Sequence, residues 1–168
     1  PICYHVWYHA AATYDGTTWR LFLNGNLENT LVVNRTPQSA SIQHAALATA
    51  MNSTGVASGF FNGRLDEARI WNSARTQADI SNNLNSEISS APGLIGRYGM
   101  NEGTGTSLVN SGTATANGTL VNGPLWVEGT SFEPLPTNGN IGMYLAGTNS
   151  YVPLGNPAAI RLSQFTLE

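Results

Sequence analysis

The chain contains no lysine, and its seven basic residues are all arginine. Only 10% of its residues are charged, against about 25% in an ordinary globular protein. With a net charge of −3, it has no basic stripe to neutralise phosphates, so we expect no nucleic-acid partner. Asparagine, threonine, serine and glycine fill the polar positions instead. Such a neutral polar surface is typical of secreted and cell-surface β proteins.

Long apolar runs and cysteine pairs are also missing. No run of about 18 apolar residues occurs, so we expect no membrane span. Cys3 is the only cysteine, which excludes an internal disulfide. The 168 residues suffice for one domain with a real core. Because the chain stops at FTLE, inside a predicted strand, we expect it to be part of a longer, multidomain protein.

Short β-like segments alternate with turn signals along most of the chain. Asp15-Gly16 and Asn24-Gly25 are hairpin signals, and they predict a three-stranded meander of His5–Tyr14, Thr17–Leu23 and Leu27–Val33. Further strands are predicted near Ile42–Thr49, Gly59–Trp71, Leu94–Met100, Thr119–Val121, Leu125–Val127, Ile141–Gly147, Tyr151–Leu154 and Phe165–Glu168. This pattern predicts an all-β fold, a two-sheet antiparallel sandwich.

One short helix is predicted near residues 76–85. Thr76 can cap it, and Asp79 stands at the third helical position, where a carboxylate favours the N-terminus. Ile80, Leu84 and Ile88 recur every four residues and would face the sheet. The Pro-, Gly- and Asn-rich segment GTSFEPLPTNGN, residues 129–140, is predicted to be a linker.

Four motifs occur in a recognisable order: WYHAAATYDGTTWRLFLNG, FFNGRLDEARIWNSART, GLIGRYGMNEGTGT and GTLVNGPLWVEG. Together they resemble the LamG-like, or concanavalin A-like, family of modules in large secreted bacterial proteins, over roughly residues 5–128. The resemblance implies a jelly-roll sandwich and a role in carbohydrate or protein binding and adhesion. It further implies a frequent calcium ion, the absence of catalysis, and a secreted or cell-surface location.

The tail, residues 141–168, resembles the beginning of the same kind of domain, so the family order is permuted. We interpret residues 1–128 as the later part of one LamG-like domain, 129–140 as a linker and 141–168 as first strands. Those strands would complete the sandwich in permuted order, begin the next repeat, or complete a neighbour by strand exchange. An incomplete sandwich would leave unpaired strand edges, which favours some such completion.

The adjacent acids Asp66 and Glu67 lie within FFNGRLDEARIWN. On a regular strand neighbours point to opposite faces, so the two carboxylates could not flank one glycosidic bond as a glycosidase requires. Asp66 would share a face with apolar residues and would need a partner there. Three alternatives stay open for Asp66: a catalytic acid, a calcium ligand, or an acceptor of backbone or arginine hydrogen bonds, which we favour.

The sequence therefore predicts a non-catalytic extracellular module that binds glycan or protein. A structural building block of a fibre or surface assembly, in contact with neighbouring LamG-like modules or copies of itself, is the alternative. A glycoside hydrolase is the third. Several aromatic side chains could stack on sugars, although a place in the core is the simpler expectation for them: Trp7, Tyr8, Trp19, Trp71, Tyr98 and Trp126.

Overall fold

The computed structural model describes residues 3, 5–38, 40–130 and 139–168. The strands of this part of the chain are β1 (Ala10–Tyr14), β2 (Thr18–Leu23), β3 (Asn26–Val32), β4 (Ala45–Leu47), β5 (Ala50–Met51), β6 (Ala57–Ser58), β7 (Asn62–Leu65), β8 (Ala68–Trp71), β9 (Leu94–Tyr98), β10 (Ser107–Leu108), β11 (Gly118–Thr119), β12 (Leu125–Glu128), β13 (Ile141–Ala146), β14 (Val152–Gly155) and β15 (Phe165–Leu167). The helix α1 spans Gln77–Ser81, and a 3₁₀ turn spans Ala158–Ile160.

The predicted meander is present as β1, β2 and β3, with antiparallel register throughout. Asn24 and Gly25 both have positive φ, at 49° and 76°. A two-residue turn of this kind matches the twist of the flanking strands, which explains why the Asn-Gly signal was reliable. β1 begins at Ala10, five residues later than the predicted His5.

The architecture is a sandwich of antiparallel sheets. One sheet has the order β3-β2-β1-β15-β8-β9, and a smaller one has the order β12-β13-β7. The main core cluster lies between them, since it joins Tyr98 of β9 to Met143 and Leu145 of β13, all fully buried. The predicted all-β sandwich of antiparallel sheets with one short helix is confirmed.

Helix α1 covers part of the other face of the six-stranded sheet, where Ala11, Phe22 and Ile80 form a second cluster with Leu84 beside it. Its N-terminus is the predicted one, with a capping box between Thr76 and Asp79. The helix ends at Ser81, earlier than predicted. The side-chain amide of Asn83 donates to the Asp79 carbonyl while the Asn83 N–H bonds Ile80, so the side chain competes with the next helical turn.

The prediction of one continuous strand over Gly59–Trp71 is wrong. β7 ends at Leu65 and belongs to the smaller sheet, whereas β8 begins at Ala68 and belongs to the larger one. Glu67 has a φ of 51°, a left-handed conformation that interrupts an extended strand. The chain therefore crosses between the sheets at the two acids.

The tail contributes strands to both sheets of the same chain. β13 lies between β12 and β7, and β15 lies between β1 and β8. Most of the predicted linker, residues 131–138, lies outside the described residues. The division into domains and linker stays a prediction.

Candidate functional site

Asp66 lies where the chain crosses from β7 to β8. Its side chain contacts Thr130 and Asn140, which lie on either side of residues 131–138. Its Oδ2 accepts the backbone N–H of Thr130 at 2.9 Å and a side-chain amide hydrogen of Asn140. Burial raises the pKa of Asp66 to about 6, and these two hydrogen bonds offset part of that rise. A Cβ at Gly129 would collide with this carboxylate, so the close approach depends on glycine there.

The oxygens around Asp66 fit part of the calcium site that the family implies. Asp66 Oδ1 and Asn140 Oδ1 are buried, and neither has a hydrogen-bond partner within the described ranges. Calcium prefers such oxygens but takes six to eight of them. Over the same described residues, no three His, Cys, Asp or Glu side chains come together as a metal site. Calcium at Asp66 stays a prediction, with Asn140 added as the second side chain that would hold it.

Glu67 is a structural residue that the sequence reasoning missed. It is only 4% exposed, and its carboxylate accepts hydrogen bonds from Arg97 Nε at 2.8 Å and Nη2 at 2.9 Å. Arg69 Nε lies 3.4 Å from Glu67 Oε1, and the backbone N–H of Ile88 donates at 3.2 Å. Glu67 and Asp66 therefore contact separate sets of partners.

A second buried acid lies against the same face of β8. Glu168 follows β15, and its carboxylate contacts Arg69 at 3.1 Å and Arg75 at 3.4 Å. Trp71 Nε1 donates to it at 3.1 Å. Hydrogen-bonding side chains alternate with apolar ones here: Arg69 and Trp71 flank Ile70, and Glu168 follows Leu167 on the adjacent strand. This period-2 pattern could have indicated a polar second face of the sheet.

A polar cleft of about 460 Å³ lies beside this network, between α1, the segment that follows it and the end of β8. Trp71 and Arg75 are at its inner side, and the Arg75 guanidinium carbon is 4.0 Å from the indole centroid. Arg75 Nη2 also donates to the Asp79 carbonyl at 3.2 Å. The guanidinium is thus held in place by a ring, a carbonyl and a carboxylate. The other lining residues are Ser73, Ala74, Asp79, Asn83, Ile88, Ser90, Ala91 and Pro92.

The aromatic residues divide between core and surface. Trp71 is 3% exposed and Tyr98 is fully buried, as expected for core residues. Tyr98 donates its hydroxyl to the Ala116 carbonyl at 2.7 Å, and burial raises its pKa to about 12. Trp7 is 38% exposed. No row of exposed aromatic rings lines the cleft among the residues described.

The fold and the site define a concanavalin A-like β-sandwich with a polar cleft on one side. Residues 2–81 match the family Laminin_G_3, described as the concanavalin A-like lectin/glucanases superfamily. The matched segment is just under half of the chain, and its similarity to this family supports a LamG-like domain, a class that suggests a binding module. Comparisons with curated proteins and with solved structures gave no match. No helix in the described part of the chain is long and apolar enough to cross a membrane.

Proposed function

We propose that this chain is a non-catalytic, extracellular binding module that takes a neutral glycan in the cleft between α1 and β8. The cleft itself is the observation that carries the proposal. Its volume of about 460 Å³ lies within the usual range of about 300–1,000 Å³ for ligand sites. Its walls carry an amide, two serines, a carboxylate and a guanidinium, which together can donate to and accept from sugar hydroxyls.

The cleft is also pre-organised for binding. Asp79 Oδ2 accepts hydrogen bonds from the backbone and hydroxyl of Thr76, and Asn83 donates to the Asp79 carbonyl at 2.7 Å. Side chains already held by neighbours lose less entropy when a ligand binds. A surface with few charges matches a neutral ligand better than a charged one.

The acids of the cleft support binding without catalysis. Glycoside hydrolysis ordinarily needs two carboxyl groups across the scissile bond. Asp79 is the one acid among the residues that line the cleft, and nearby Glu168 is held by arginines in the protein interior. The family similarity and the neutral, lysine-free composition support a secreted or cell-surface location.

The test is glycan binding with a blocked cleft. Ser90 is exposed on the cleft wall, whereas neighbouring Ser89 is also exposed but does not line the cleft. An array of neutral gluco-, galacto-, manno- and N-acetylglucosamine oligosaccharides selects the probe, and calorimetry measures its Kd. Ser90→Trp should weaken binding by at least about tenfold through steric exclusion, while Ser89→Trp should not. No binding on the array, or unchanged binding by the Ser90 variant, contradicts the proposal.

The alternative of a building block in an assembly is favoured by a different observation, the open edge of the six-stranded sheet at β3. That edge lies at the end of the sheet opposite to β9 and is independent of the cleft.

A further inference from the structure

Two segments of different chemistry line the cleft between α1 and β8. The segment formed by α1 and its flanks is polar, and its charged members are Arg75 and Asp79. The segment that follows α1 forms an apolar wall of Ile88, Ala91 and Pro92, interrupted by one serine. A ligand that fills the cleft therefore needs hydrogen-bonding groups for the first segment and apolar surface for the second.

Arg75 offers hydrogen-bond donors to a neutral group. Its Nη1 lies 3.4 Å from Glu168 Oε1, and its Nη2 donates to the Asp79 carbonyl at 3.2 Å. Each Nη carries two hydrogens, so a second hydrogen on each is left over by these two contacts. The carboxylates of Glu168 and Asp79 offset the charge of the guanidinium, so an anionic ligand would gain little there. A carbonyl oxygen accepts a hydrogen bond without carrying a charge, and it suits these donors better.

Asp79 offers an acceptor beside Arg75. Its Oδ2 accepts the backbone N–H of Thr76 at 3.1 Å and the Thr76 hydroxyl at 2.7 Å, whereas its Oδ1 accepts no hydrogen bond from the described residues. The bonds from Thr76 hold the pKa of Asp79 below its ordinary value. The free oxygen is therefore an acceptor only at neutral pH, and it suits an N–H group of the ligand.

We propose that the cleft selects 2-acetamido sugars, so that its ligands are neutral glycans built from N-acetylhexosamines. The inference rests on the proposed glycan-binding function and names the sugar class for the same site. The acetamido N–H donates to Asp79 Oδ1, the carbonyl oxygen accepts from Arg75, and the methyl group packs against the apolar wall. The N–H and C=O of a trans amide point in opposite directions, so an acceptor and a donor on two different side chains match them.

A sugar with a plain hydroxyl at C2 fits this arrangement less well. The hydroxyl can bond one of the two side chains but leaves the apolar wall without a contact. The acetamido group buries a methyl group that the hydroxyl lacks, and it adds one further hydrogen bond. These two differences together are enough for a preference of about tenfold in Kd.

The test compares two trisaccharides by calorimetry on the 168-residue chain. Triacetylchitotriose and cellotriose are both β-1,4-linked, and they differ only in the substituent at C2. The chain should bind triacetylchitotriose at least about tenfold more tightly. N-acetyl-trialanine amide carries amides without a sugar ring and should bind at least about tenfold more weakly than triacetylchitotriose, because it lacks hydroxyls for Ser73 and Asn83 in the cleft.

Asp79→Asn tests the acceptor with little change of shape. The asparagine oxygen can still accept from Thr76, while its amide places a donor where the free acceptor was. The preference for triacetylchitotriose should then fall below about threefold. Asp15→Asn is the matched control, because Asp15 also accepts from a threonine hydroxyl and a backbone N–H but does not line the cleft, and it should keep the full preference.

Ala91→Asp tests the apolar wall without touching the cap of α1. It places a charge where the methyl group would pack, so it should also reduce the preference below about threefold. Equal Kd values for the two trisaccharides, tighter binding of the peptide, or a full preference in both cleft variants would overturn the inference. Binding of other neutral glycans that Ser90→Trp blocks, without a preference for triacetylchitotriose, would overturn the sugar class and leave the proposed function standing. A chain that binds no glycan would contradict the proposed function itself.

Discussion

At the scale of single residues, the burial of Asp66 links its protonation to the stability of the fold. Its folded-state pKa of about 6 lies above the ordinary 3.8 because of burial, so the folded state holds the proton more tightly than the unfolded state. The protonated Asp66 carboxyl therefore contributes its full share of the free energy of unfolding below about pH 4. This contribution is lost as the pH rises through 6. After a discount for its partial exposure, the loss is about 1–2 kcal/mol.

Asp66→Asn removes the buried charge but keeps an oxygen that can accept from Thr130 and Asn140. In EGTA, urea unfolding should therefore show the parent losing stability between pH 4 and 6 relative to the variant. At pH 7.5 calcium should reverse the order, since a cation favours the ionised carboxylate and stabilises the parent alone, by about 2.7 kcal/mol at a hundredfold excess over Kd. No difference between calcium and EGTA in the parent would remove the calcium hypothesis.

The partners of Glu67 illustrate why single residues are hard to assign from sequence. Its main partner, Arg97, is 30 positions away, and nothing in the local pattern pairs them. The alternation argument separated Asp66 from Glu67, but it assumed a continuous strand. One local sign of this turn was present in the sequence. On a regular strand, apolar Leu65 would point to the face opposite to apolar Ala68 and Ile70. The positive φ of Glu67 is the turn that separates them.

At the scale of elements, the Glu67–Arg97 contact joins the start of β8 to β9. Glu67→Gln would leave Arg97 and Arg69 partly uncompensated in a buried site, at a cost of about 3–5 kcal/mol. Urea unfolding measures this loss. The control is Asp15→Asn, which removes a surface contact to Arg20 of 2.6 Å and should cost much less. Equal effects of the two substitutions would contradict a structural role for the buried network.

Elements defined by local turn chemistry were predictable, and those defined by distant contacts were not. The meander followed from Asp15-Gly16 and Asn24-Gly25, and the start of α1 followed from Thr76 and Asp79. The early end of α1 depends on an Asn83 side-chain bond that competes with the backbone. The cleft was not predictable, because it forms where residues around α1 meet the end of β8.

At the scale of the whole molecule, the tail residues occupy interior places in both sheets while β3 occupies an edge. β15 lies between β1 and β8, and β13 lies between β12 and β7. A strand with neighbours on both sides opens only when the sheet opens, whereas an edge strand can fray alone. The position of each strand in its sheet therefore predicts its order of hydrogen exchange.

Hydrogen exchange should find the amides of β13 and β15 among the slowest in the chain. If the tail pairs within its own chain, as the register shows for β15 against β1 and β8, their protection should not change on about hundredfold dilution. A tail exchanged with a neighbour would lose protection as the assembly dissociates. Tail protection that falls on dilution would show that the sandwich is completed between chains.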